Sequence, residues 1–334
     1  MPRPVVLIAL PMDPERRRAA RAAAQEKLGD RAEVLIRGDV GDDEIARRAP
    51  EVEVLVTYGF PRDVPTDLWP RFTRLRLFQS FAAGVDHLPY GLIPPSVTIC
   101  GNAGAYDVSI AEHAMALLLA AARNVAAHTE AIRAGRFRQD VMGKSVRGKT
   151  LGVVGLGGIG SEAARLARGL GMRVVGVNRR GATDAPADWC GTLADLDRLL
   201  AESDFVLLSI PLTKRTAGLI GARELRLMKP DAVLVNIARG KLIEERDLYE
   251  HLRAHPAFQA ALDVWWTYPQ GDGFPFTRPF HELPNVVMTP HVAWAVPEQA
   301  RRSLEAALDN VARFLDGRPP RNVVDRTEYG PEGR

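Results

Sequence analysis

Three polar side chains in the second half of the chain lie where they could take part in proton and hydride transfer. Arg239, Asp263 and His291 each come at the end of an apolar run, or three residues after it, and each run has the length of a buried strand. A guanidinium can bind a carboxylate or polarise a carbonyl. An imidazole titrates near neutral pH, so it can protonate a ketone oxygen as a hydride arrives. The alternative for each residue is an ordinary structural role in a loop.

A glycine-rich turn earlier in the chain indicates the nucleotide that such chemistry needs. Between residues 150 and 180 an apolar run, a turn, a helical stretch and a second apolar run follow one another. The turn carries Gly155, Gly157 and Gly160 in the spacing G-x-G-x-x-G. The first glycine permits a tight turn, the second lets the backbone approach a pyrophosphate, and the third lets the helix pack closely. The N-terminus of the helix then attracts the phosphates, so the segment predicts a dinucleotide site.

The residues after the second apolar run predict which dinucleotide is preferred. NAD sites usually place an acid about twenty residues beyond the glycines, where it binds the ribose hydroxyls. Here the chain reads Asn178, Arg179 and Arg180, so no carboxylate repels a 2′-phosphate and two guanidiniums can bind it. NADP(H) is therefore the predicted cofactor and NAD(H) the alternative, unless both arginines are solvated loop residues.

The order of apolar runs and helical stretches predicts an α/β protein with parallel sheets. Strands are predicted at residues 5–10, 32–36, 52–58, 75–80, 97–100, 151–154, 173–177, 205–209, 232–236, 259–264 and 286–288. Helices are predicted at 15–28, 42–48, 109–122, 161–170, 193–201, 222–228, 244–254 and 298–315. The helix at 109–122 is apolar on nearly all sides, so we expect it to be buried. The polar stretch 125–149 is predicted to be an arm or a connecting loop.

Length and composition limit the class of protein. The chain has 334 residues, enough for two domains with their own cores, and its net charge of +3 is too small to indicate nucleic acid as the main partner. Cys100 and Cys190 are far apart and lack metal-ligand spacing, so we expect buried thiols and no metal. No stretch has the length of a membrane span, and the first apolar run is too short for a signal peptide. We therefore expect a cytoplasmic protein with no membrane partner.

The chain resembles the D-isomer-specific 2-hydroxyacid dehydrogenase family along nearly its whole length. The segments that carry the resemblance are SFAAGVDH at 80–87, NAGAYDVSIAEHAMALLLA at 102–120, KTLGVVGLGGIG at 149–160, SIPLTKRTAGLIG at 209–221, NIARGKLIEERDL at 236–248, ALDV at 261–264, TPHVAW at 289–294 and GRPPRNVVD at 317–325. The resemblance implies NAD(P)H-dependent reduction of a small 2-oxoacid, such as glyoxylate or hydroxypyruvate, to the D-2-hydroxyacid.

The same resemblance implies an architecture. It predicts two Rossmann-like, doubly wound parallel-sheet domains with a cleft between them. Residues 1–101 and 288–334 would form a flavodoxin-like substrate-binding domain, and residues 102–287 a dinucleotide-binding Rossmann domain inserted into it. The resemblance also implies a homodimer joined through the cofactor domain.

The family's functional residues carry over onto matching positions of this sequence. Arg239 resembles the arginine that binds the carboxylate and keto oxygen of a 2-oxoacid, and His291 resembles the acid/base that protonates the carbonyl. Ala83 and Gly84 resemble the loop whose N–H groups hold the substrate carboxylate. The implied cofactor-binding residues are Gly155, Gly157, Gly158, Ile159, Gly160, Asn178, Arg179, Arg180, Pro211 on the adenine side, Thr216 near the phosphates, Ile237, Ala238, and Asp263 at the nicotinamide amide.

Tyr268 departs from the family pattern. The family usually has a glutamate five residues after the aspartate, where it pairs with the histidine and raises its pKa. Tyr268 occupies that place here, and its hydroxyl can orient an imidazole but adds little charge at neutral pH. Asp272 and Glu282 are the alternative acids in this stretch. We expect the reductase activity to fall off at lower pH than in relatives that have the glutamate.

The departure at position 268 leaves other functions open. The formate-oxidising branch of the family also lacks an acid there, which admits formate or phosphonate oxidation, although Tyr106 stands where that branch has a substrate-binding asparagine. Corepressors built on the same fold retain a similar site, so a nucleotide-sensing binding protein is a third hypothesis.

The substrate side chain cannot be deduced from the sequence. Candidate lining residues are Tyr58, Phe60, Phe81, Trp265, Trp266 and Trp294. If the paired tryptophans line the cleft, a bulkier oxoacid is favoured. If they pack in the core, small substrates are favoured.

Overall fold

The chain forms two compact units in the computed structural model, which describes residues 3–269 and 271–330. Unit 1 consists of Met1–Tyr106 together with Pro297–Arg334, and unit 2 is the continuous segment Asp107–Val296 between them. Each unit contains one parallel sheet, of five strands in unit 1 and seven in unit 2, with helices packed on both faces. The predicted α/β class with two doubly wound sheets is confirmed.

The elements follow one another in the order typical of such sheets. The first segment contains β1 (Val5–Ile8), α1 (Pro14–Leu28), β2 (Glu33–Ile36), α2 (Asp42–Arg48), β3 (Val52–Thr57), β4 (Leu77–Ser80) and β5 (Thr98–Cys100). Unit 2 contains α3 (Asp107–Ala122), α4 (Val125–Arg133), β6 (Thr150–Val154), α5 (Gly158–Gly169), β7 (Arg173–Val177), β8 (Trp189–Gly191), α6 (Leu196–Glu202), β9 (Phe205–Leu208), α7 (Ala222–Leu227), β10 (Val233–Asn236), α8 (Glu245–Ala254), β11 (Gln259–Leu262) and β12 (Val286–Met288). The helix α9 (Gln299–Leu315) returns to unit 1.

The sheet of unit 1 has the strand order β2-β1-β3-β4-β5, which is that of flavodoxin-like sheets. Helix α1 begins as its sequence predicts, because the Asp13 carboxylate accepts a 2.8 Å hydrogen bond from the N–H of Arg16 and Pro14 occupies the first helical position. Helices α1 and α9 pack on one face of the sheet, where Ala20 and Leu308 belong to the same buried apolar cluster. The closing helix therefore completes the core of unit 1.

The sheet of unit 2 has the order β12-β11-β10-β9-β6-β7-β8. Counted from β6, this is the Rossmann order 3-2-1-4-5-6 with one further strand at the edge. The direction of strand order reverses between β6 and β9, and in such sheets ligands bind at the carboxyl ends of the strands beside this point. The glycine-rich turn follows β6, so it lies where the topology places a ligand.

Helix α3 is buried, as its apolar sequence predicts. Leu117, Leu118 and Ala121 belong to the apolar cluster that also contains Ala163 and Ala164 of α5. Among the described residues no single helix is long and apolar enough to cross a bilayer, and α3 with α4 passes that test only as a pair bent by 62°.

The structure corrects three details of the sequence interpretation. The stretch 125–149 was predicted to be a loop or arm, but it begins with helix α4. This helix has no buried face, since even its apolar Val125 and Ile132 are exposed. Gly135, with a φ of 71°, follows the end of this helix. The sequence interpretation missed β8, a three-residue strand at the sheet edge. Cys190 in β8 is half-buried, whereas Cys100 is buried as expected.

Candidate active site

The three glycines of the turn after β6 have different surroundings. Gly155 has a φ of 107°, and a Cβ there would lie 2.8 Å from the backbone of Ser209. A Cβ at Gly160 would overlap the carbonyl oxygen of Gly155. A Cβ at Gly157, in contrast, would meet no described atom within 4 Å. The first and third glycines are therefore required by the packing of the turn, while the second leaves open space in front of the N-terminus of α5.

This difference predicts opposite behaviour of two alanine variants. Gly157→Ala should keep the melting temperature within about 2 °C of the wild type, because its φ of −99° suits alanine and its Cβ meets nothing. Its affinity for a pyridine dinucleotide should fall at least about 10-fold, since the methyl group would fill the space in which the pyrophosphate is expected. Gly160→Ala should lower the melting temperature by several degrees, in line with an overpacking cost of about 1–3 kcal/mol. Calorimetry and nucleotide titration test both, and equal affinity of Gly157→Ala and wild type would contradict the assignment.

Gly158 and Ile159 open helix α5. Gly158 is the first residue of the helix and faces the carboxylate of Asp107, which a Cβ at this position would overlap. Ile159 is partly buried and packs against the apolar cluster under α3 and α5. Asp107, the first residue of α3, was not predicted as a neighbour of the glycine turn, because the two are about 50 residues apart in the sequence.

Asn178 holds the loop after β7 through its side chain. Its amide nitrogen donates to the carbonyl oxygens of Leu156, at 3.2 Å, and Ala182, at 2.8 Å, and its amide oxygen accepts a 2.9 Å hydrogen bond from the N–H of Arg180. Arg179 and Arg180 are both exposed. An asparagine is therefore needed for the shape of this loop, and a carboxylate could not make the two donor contacts.

The loop after β9 carries Pro211 and Thr216. Thr216 is buried, and its hydroxyl donates to the Pro211 carbonyl at 2.7 Å and accepts from the N–H of Thr213 at 2.8 Å. The hydroxyl therefore lies within its own turn. Two further predicted cofactor residues follow β10, where Ile237 is buried and Ala238 is partly buried.

Arg239 follows β10 in a turn held by Asn236. The buried Asn236 side chain accepts from the N–H of Ala238 at 3.1 Å and donates to the Arg239 carbonyl at 2.9 Å. The guanidinium donates a 2.7 Å hydrogen bond to the Ala238 carbonyl. Gly240 comes next, and a Cβ there would overlap the backbone of Trp265. The turn that carries Arg239 thus rests directly on the loop after β11.

Asp263 follows β11 and is fully buried, with 0% of its surface exposed. Its carboxylate accepts hydrogen bonds from the Thr289 hydroxyl at 2.6 Å and from the N–H groups of Val292 at 2.9 Å and Ala293 at 3.0 Å. The Nε2 atom of His113 lies 3.1 Å from the Thr289 hydroxyl and 3.5 Å from the Asp263 carboxylate. We call these five residues the Asp263 network. Burial alone would raise the pKa of Asp263, but these hydrogen bonds outweigh it and hold the pKa below its usual value.

His291 lies in the loop after β12, inside the segment that the Asp263 network holds. Its φ of 59° is in the left-handed region, which is uncommon for a residue with a side chain. The ring of Tyr268 lies 5.3 Å from the His291 ring, centroid to centroid, and the Tyr268 hydroxyl accepts a 3.3 Å hydrogen bond from the N–H of Trp265. Trp294 donates from its indole to the His291 carbonyl at 3.1 Å. Tyr268 therefore lies next to His291, and 49% of its surface is exposed.

The paired tryptophans pack in the core of unit 2. Trp265 is buried, and its indole donates to the Thr289 carbonyl at 3.0 Å. Trp266 stacks on Phe280 with 5.2 Å between ring centroids and donates to the Ile243 carbonyl at 2.8 Å. Because Trp265 touches the turn of Arg239 on one side and the loop of His291 on the other, it joins the two predicted functional loops.

Ala83 and Gly84 lie in unit 1, in the loop after β4. Within the described residues no hydrogen bond is found from the N–H of either one. The loop is anchored on both sides, since the Tyr106 hydroxyl donates to the Phe81 carbonyl at 2.7 Å and the N–H of Asn102 donates to the Ala82 carbonyl at 3.0 Å. Burial raises the pKa of Tyr106, so its hydroxyl stays protonated. Two backbone donors are thus presented on a fixed loop.

Sequence reasoning missed two residues that the structure brings to this site. Neither His113 on α3 nor Thr289 is predicted from the sequence to be a functional residue, yet both contact the Asp263 carboxylate. The chain separates His113 from Asp263 by about 150 residues, so no local pattern reveals the contact. Among the residues that the structure describes, no group of three or more His, Cys, Asp or Glu side chains could hold a metal ion.

Comparison with known proteins gives a consistent result. Residues 115–293 match the model of the family described as D-isomer specific 2-hydroxyacid dehydrogenase, NAD binding domain. The chain is 31% identical over 297 residues to a glyoxylate reductase of Pyrococcus furiosus, covering 86% of this chain and 87% of that protein. It is 34% identical over 263 residues to a hydroxypyruvate reductase of Thermotoga maritima, covering 78% and 84%. A D-3-phosphoglycerate dehydrogenase of Archaeoglobus fulgidus is 32% identical over 90% of this chain, which spans only 56% of that longer protein.

A solved structure gives the same result for the fold. A protein of Rhizobium etli, described as a probable 2-hydroxyacid dehydrogenase in complex with NADP, superimposes with a TM-score of 0.78 at 26% identity, covering 98% of this chain and 99% of that one. The glycine turn, the arginine after β10 and the histidine after β12 stand in unit 2, within a segment that the family model spans. The chain belongs to the D-isomer specific 2-hydroxyacid dehydrogenases, a family of NAD(P)-dependent oxidoreductases.

Proposed function

We propose that the protein reduces a small 2-oxoacid, such as glyoxylate or hydroxypyruvate, to the D-2-hydroxyacid, with NADPH preferred over NADH. The observation that carries the proposal is the placement of Arg239 and His291 after β10 and β12 of the sheet whose β6 leads into the glycine turn. In a parallel sheet these three loops all start at the edge formed by the carboxyl ends of the strands. Trp265 contacts the loops of both side chains.

The residues of unit 2 fit a dinucleotide. The open space at Gly157 leaves room for a pyrophosphate at the N-terminus of α5, while Gly155 and Gly160 allow the close packing that forms the turn. The nicotinamide supplies the hydride when it is bound. The exposed Arg179 and Arg180 would hold a 2′-phosphate. Unit 2 is accordingly the cofactor domain in this proposal, and unit 1 the substrate-binding domain.

The protein's own groups would bind the oxoacid and move one proton. The guanidinium of Arg239 binds the carboxylate and polarises the keto oxygen. The N–H groups of Ala83 and Gly84, which make no hydrogen bond within the described residues, supply further donors for the carboxylate. The imidazole of His291 gives a proton to the oxygen as the carbon is reduced. Tyr268, 5.3 Å away between ring centroids, orients that imidazole.

The position of the tryptophans supports a small substrate. Trp265 is buried in the apolar core of unit 2, the partly buried Trp266 packs against that core, and both indole N–H groups donate to backbone carbonyls. The core thus holds both side chains, which favours a small substrate over one with a large side chain. A glyoxylate or hydroxypyruvate needs no such pocket.

Steady-state assays test the proposal directly. NADPH oxidation is measured with glyoxylate, hydroxypyruvate and phenylpyruvate, and NADP reduction with formate. We expect kcat/KM to be highest for the two small oxoacids, glyoxylate and hydroxypyruvate. Faster turnover of formate would replace the proposal by formate oxidation, and nucleotide binding without any turnover would favour a sensing protein.

The cofactor preference predicts the effect of Asn178→Asp. The added carboxylate faces a 2′-phosphate and binds ribose hydroxyls, so the ratio of kcat/KM for NADPH over NADH should fall at least about 10-fold. The same change removes donors to two carbonyls, which loosens the loop. Asn178→Ser is the matched control, since it loses those donors without adding charge and should weaken both cofactors alike. A wild type that already prefers NADH would contradict the proposal.

The tyrosine beside the histidine predicts a pH effect. Reduction requires a protonated imidazole, so activity is lost as the pH rises through the pKa of His291. A carboxylate in Tyr268→Glu stabilises the protonated form and should move this upper limb of the kcat/KM profile to higher pH by about one unit. Tyr268→Gln, which adds no charge, serves as the control. Identical profiles for wild type and Tyr268→Glu would remove the assigned role of position 268.

Exposed apolar side chains support a homodimer joined through unit 2. They concentrate in α4 and the segment after it, where Phe137 is 78% and Met142 87% exposed and Val125 and Ile132 are also exposed. Apolar side chains that are grouped on a surface commonly mark an interface. Light scattering at micromolar concentration should give twice the mass of the 36.6 kDa chain.

A further inference from the structure

The backbone at His291 needs support from its surroundings. A left-handed conformation is unfavourable at a residue with a side chain, and it persists where neighbouring contacts fix it. Here the contacts lie on both sides of the residue. The Asp263 carboxylate binds the hydroxyl of Thr289, two residues before, and the N–H groups of Val292 and Ala293, directly after.

His113 closes this set of contacts from helix α3. The hydroxyl hydrogen of Thr289 is directed to Asp263 at 2.6 Å, so its oxygen can accept from His113, whose Nε2 lies 3.1 Å away. Nε2 therefore carries the hydrogen. The same atom is 3.5 Å from the carboxylate. The Asp263 carboxylate has no exposed surface and needs such donors, because burying an ionised carboxylate without hydrogen-bond partners costs much free energy.

We propose that His113 is a positioning residue for the reaction: through Thr289 and Asp263 it fixes the left-handed loop that presents His291. The inference rests on the proposed oxoacid reduction for its kinetic part only. In this proposal the buried Asp263 carboxylate holds the loop that carries His291 by hydrogen bonds from the protein interior. Helix α3 then contributes to the active site through His113, in addition to its packing in the core. A displacement of about 1 Å at a reacting group can lower a rate by roughly 100-fold, so a modest loosening of this loop is measurable.

The kinetic test compares three variants in the full-length protein. His113→Leu removes the donor, and Thr289→Val removes the hydroxyl that links it to Asp263. His113→Gln keeps a donor near the position of Nε2. We expect the first two to lower kcat by roughly 10- to 100-fold with the KM for NADPH within about twofold, and His113→Gln to restore most of the rate. His255→Leu, at the C-terminal end of α8, makes the same chemical change outside the network and should leave kcat unchanged.

A double variant shows whether the two residues act in series. If His113 acts through Thr289, the pair His113→Leu with Thr289→Val should lower kcat about as much as either change alone. Independent roles would multiply the two losses. A multiplied loss, or a kcat of His113→Leu within twofold of the wild type, overturns the inference.

Tryptophan emission tests the loop without any substrate. Trp294 donates to the His291 carbonyl, so the difference between a protein and its Trp294→Phe counterpart isolates the emission of that side chain. This emission should change in His113→Leu and Thr289→Val and stay as in the wild type in His113→Gln. Unchanged emission in the first two overturns the inference. A wild type that reduces no oxoacid refutes the proposed function, and the emission still decides on the positioning role.

Discussion

Replacement of His291 by asparagine is expected to lower kcat for glyoxylate reduction by about 100- to 10,000-fold, the usual contribution of a general acid. Asparagine removes the titratable donor and tolerates the left-handed φ of 59° at this position. The backbone contacts of Asp263 and the indole contact of Trp294 involve no atom of the His291 side chain, so they should persist. The loss is therefore expected in kcat and not in folding.

Two measurements separate this loss from indirect effects. NADPH affinity, followed by quenching of tryptophan fluorescence, should stay within about threefold of the wild type because the glycine turn is untouched. His281→Asn is the matched control, since His281 stacks on Phe274 at 4.1 Å between ring centroids and is not part of the Asp263 network. A His291→Asn variant as fast as the wild type would exclude proton donation by this residue. Such a result would favour a reaction that needs no proton at oxygen, such as formate oxidation.

The sequence was sufficient for the parts of the fold that local sterics and burial determine. Strands buried on both faces of a parallel sheet are continuous apolar runs, and β7 matches its predicted bounds. The edge strand β12 matches its predicted bounds as well, although only Val286 in it is buried. Helix α2 also matches its predicted bounds, whereas α5 begins three residues before and α6 three residues after the predicted start. The other predicted elements begin or end one or two residues away, where helices and strands fray. The glycine turn was predictable because three of its positions exclude a side chain for different reasons. At two of them, Gly155 and Gly160, the structure shows backbone atoms where a Cβ would lie.

Contacts between distant parts of the chain could not be predicted. Nothing near His113 or Asp263 in the sequence indicates that α3 and the loop after β12 share one buried carboxylate. The internal bonds of Asn178 and Thr216 were also missed, because a side chain that holds its own loop looks the same in sequence as one that faces a ligand. Helix α4 was missed since none of its residues is buried. The homodimer and the cytoplasmic location stay predictions.

Arg239 is expected to show the second large effect. In Arg239→Met the substrate loses a bidentate charged partner and the keto oxygen loses polarisation, so kcat/KM for the oxoacid should fall roughly 1,000-fold. Methionine is unbranched and of similar length, and it should leave the turn intact because Asn236 holds that turn through the backbone of Ala238 and Arg239. Both constants should change. KM should rise because the guanidinium binds the substrate carboxylate in the ground state, and kcat should fall because it stabilises the keto oxygen in the transition state.

Arg239→Lys sharpens the assignment. A lysine keeps the charge but not the planar fork, so it should recover part of the activity and remain about 10- to 100-fold below the wild type. Arg253→Met on the surface of α8 is the matched control, because its partner Glu250 lies within the same helix at 3.3 Å and neither residue belongs to a predicted functional loop. Equal kcat/KM for Arg239→Met and Arg253→Met would show that the guanidinium at 239 does not contact substrate. If both Arg239 variants lost NADPH affinity instead of oxoacid affinity, the arginine would belong to the cofactor site, and the carboxylate would have to be held by the N–H groups of Ala83 and Gly84 alone.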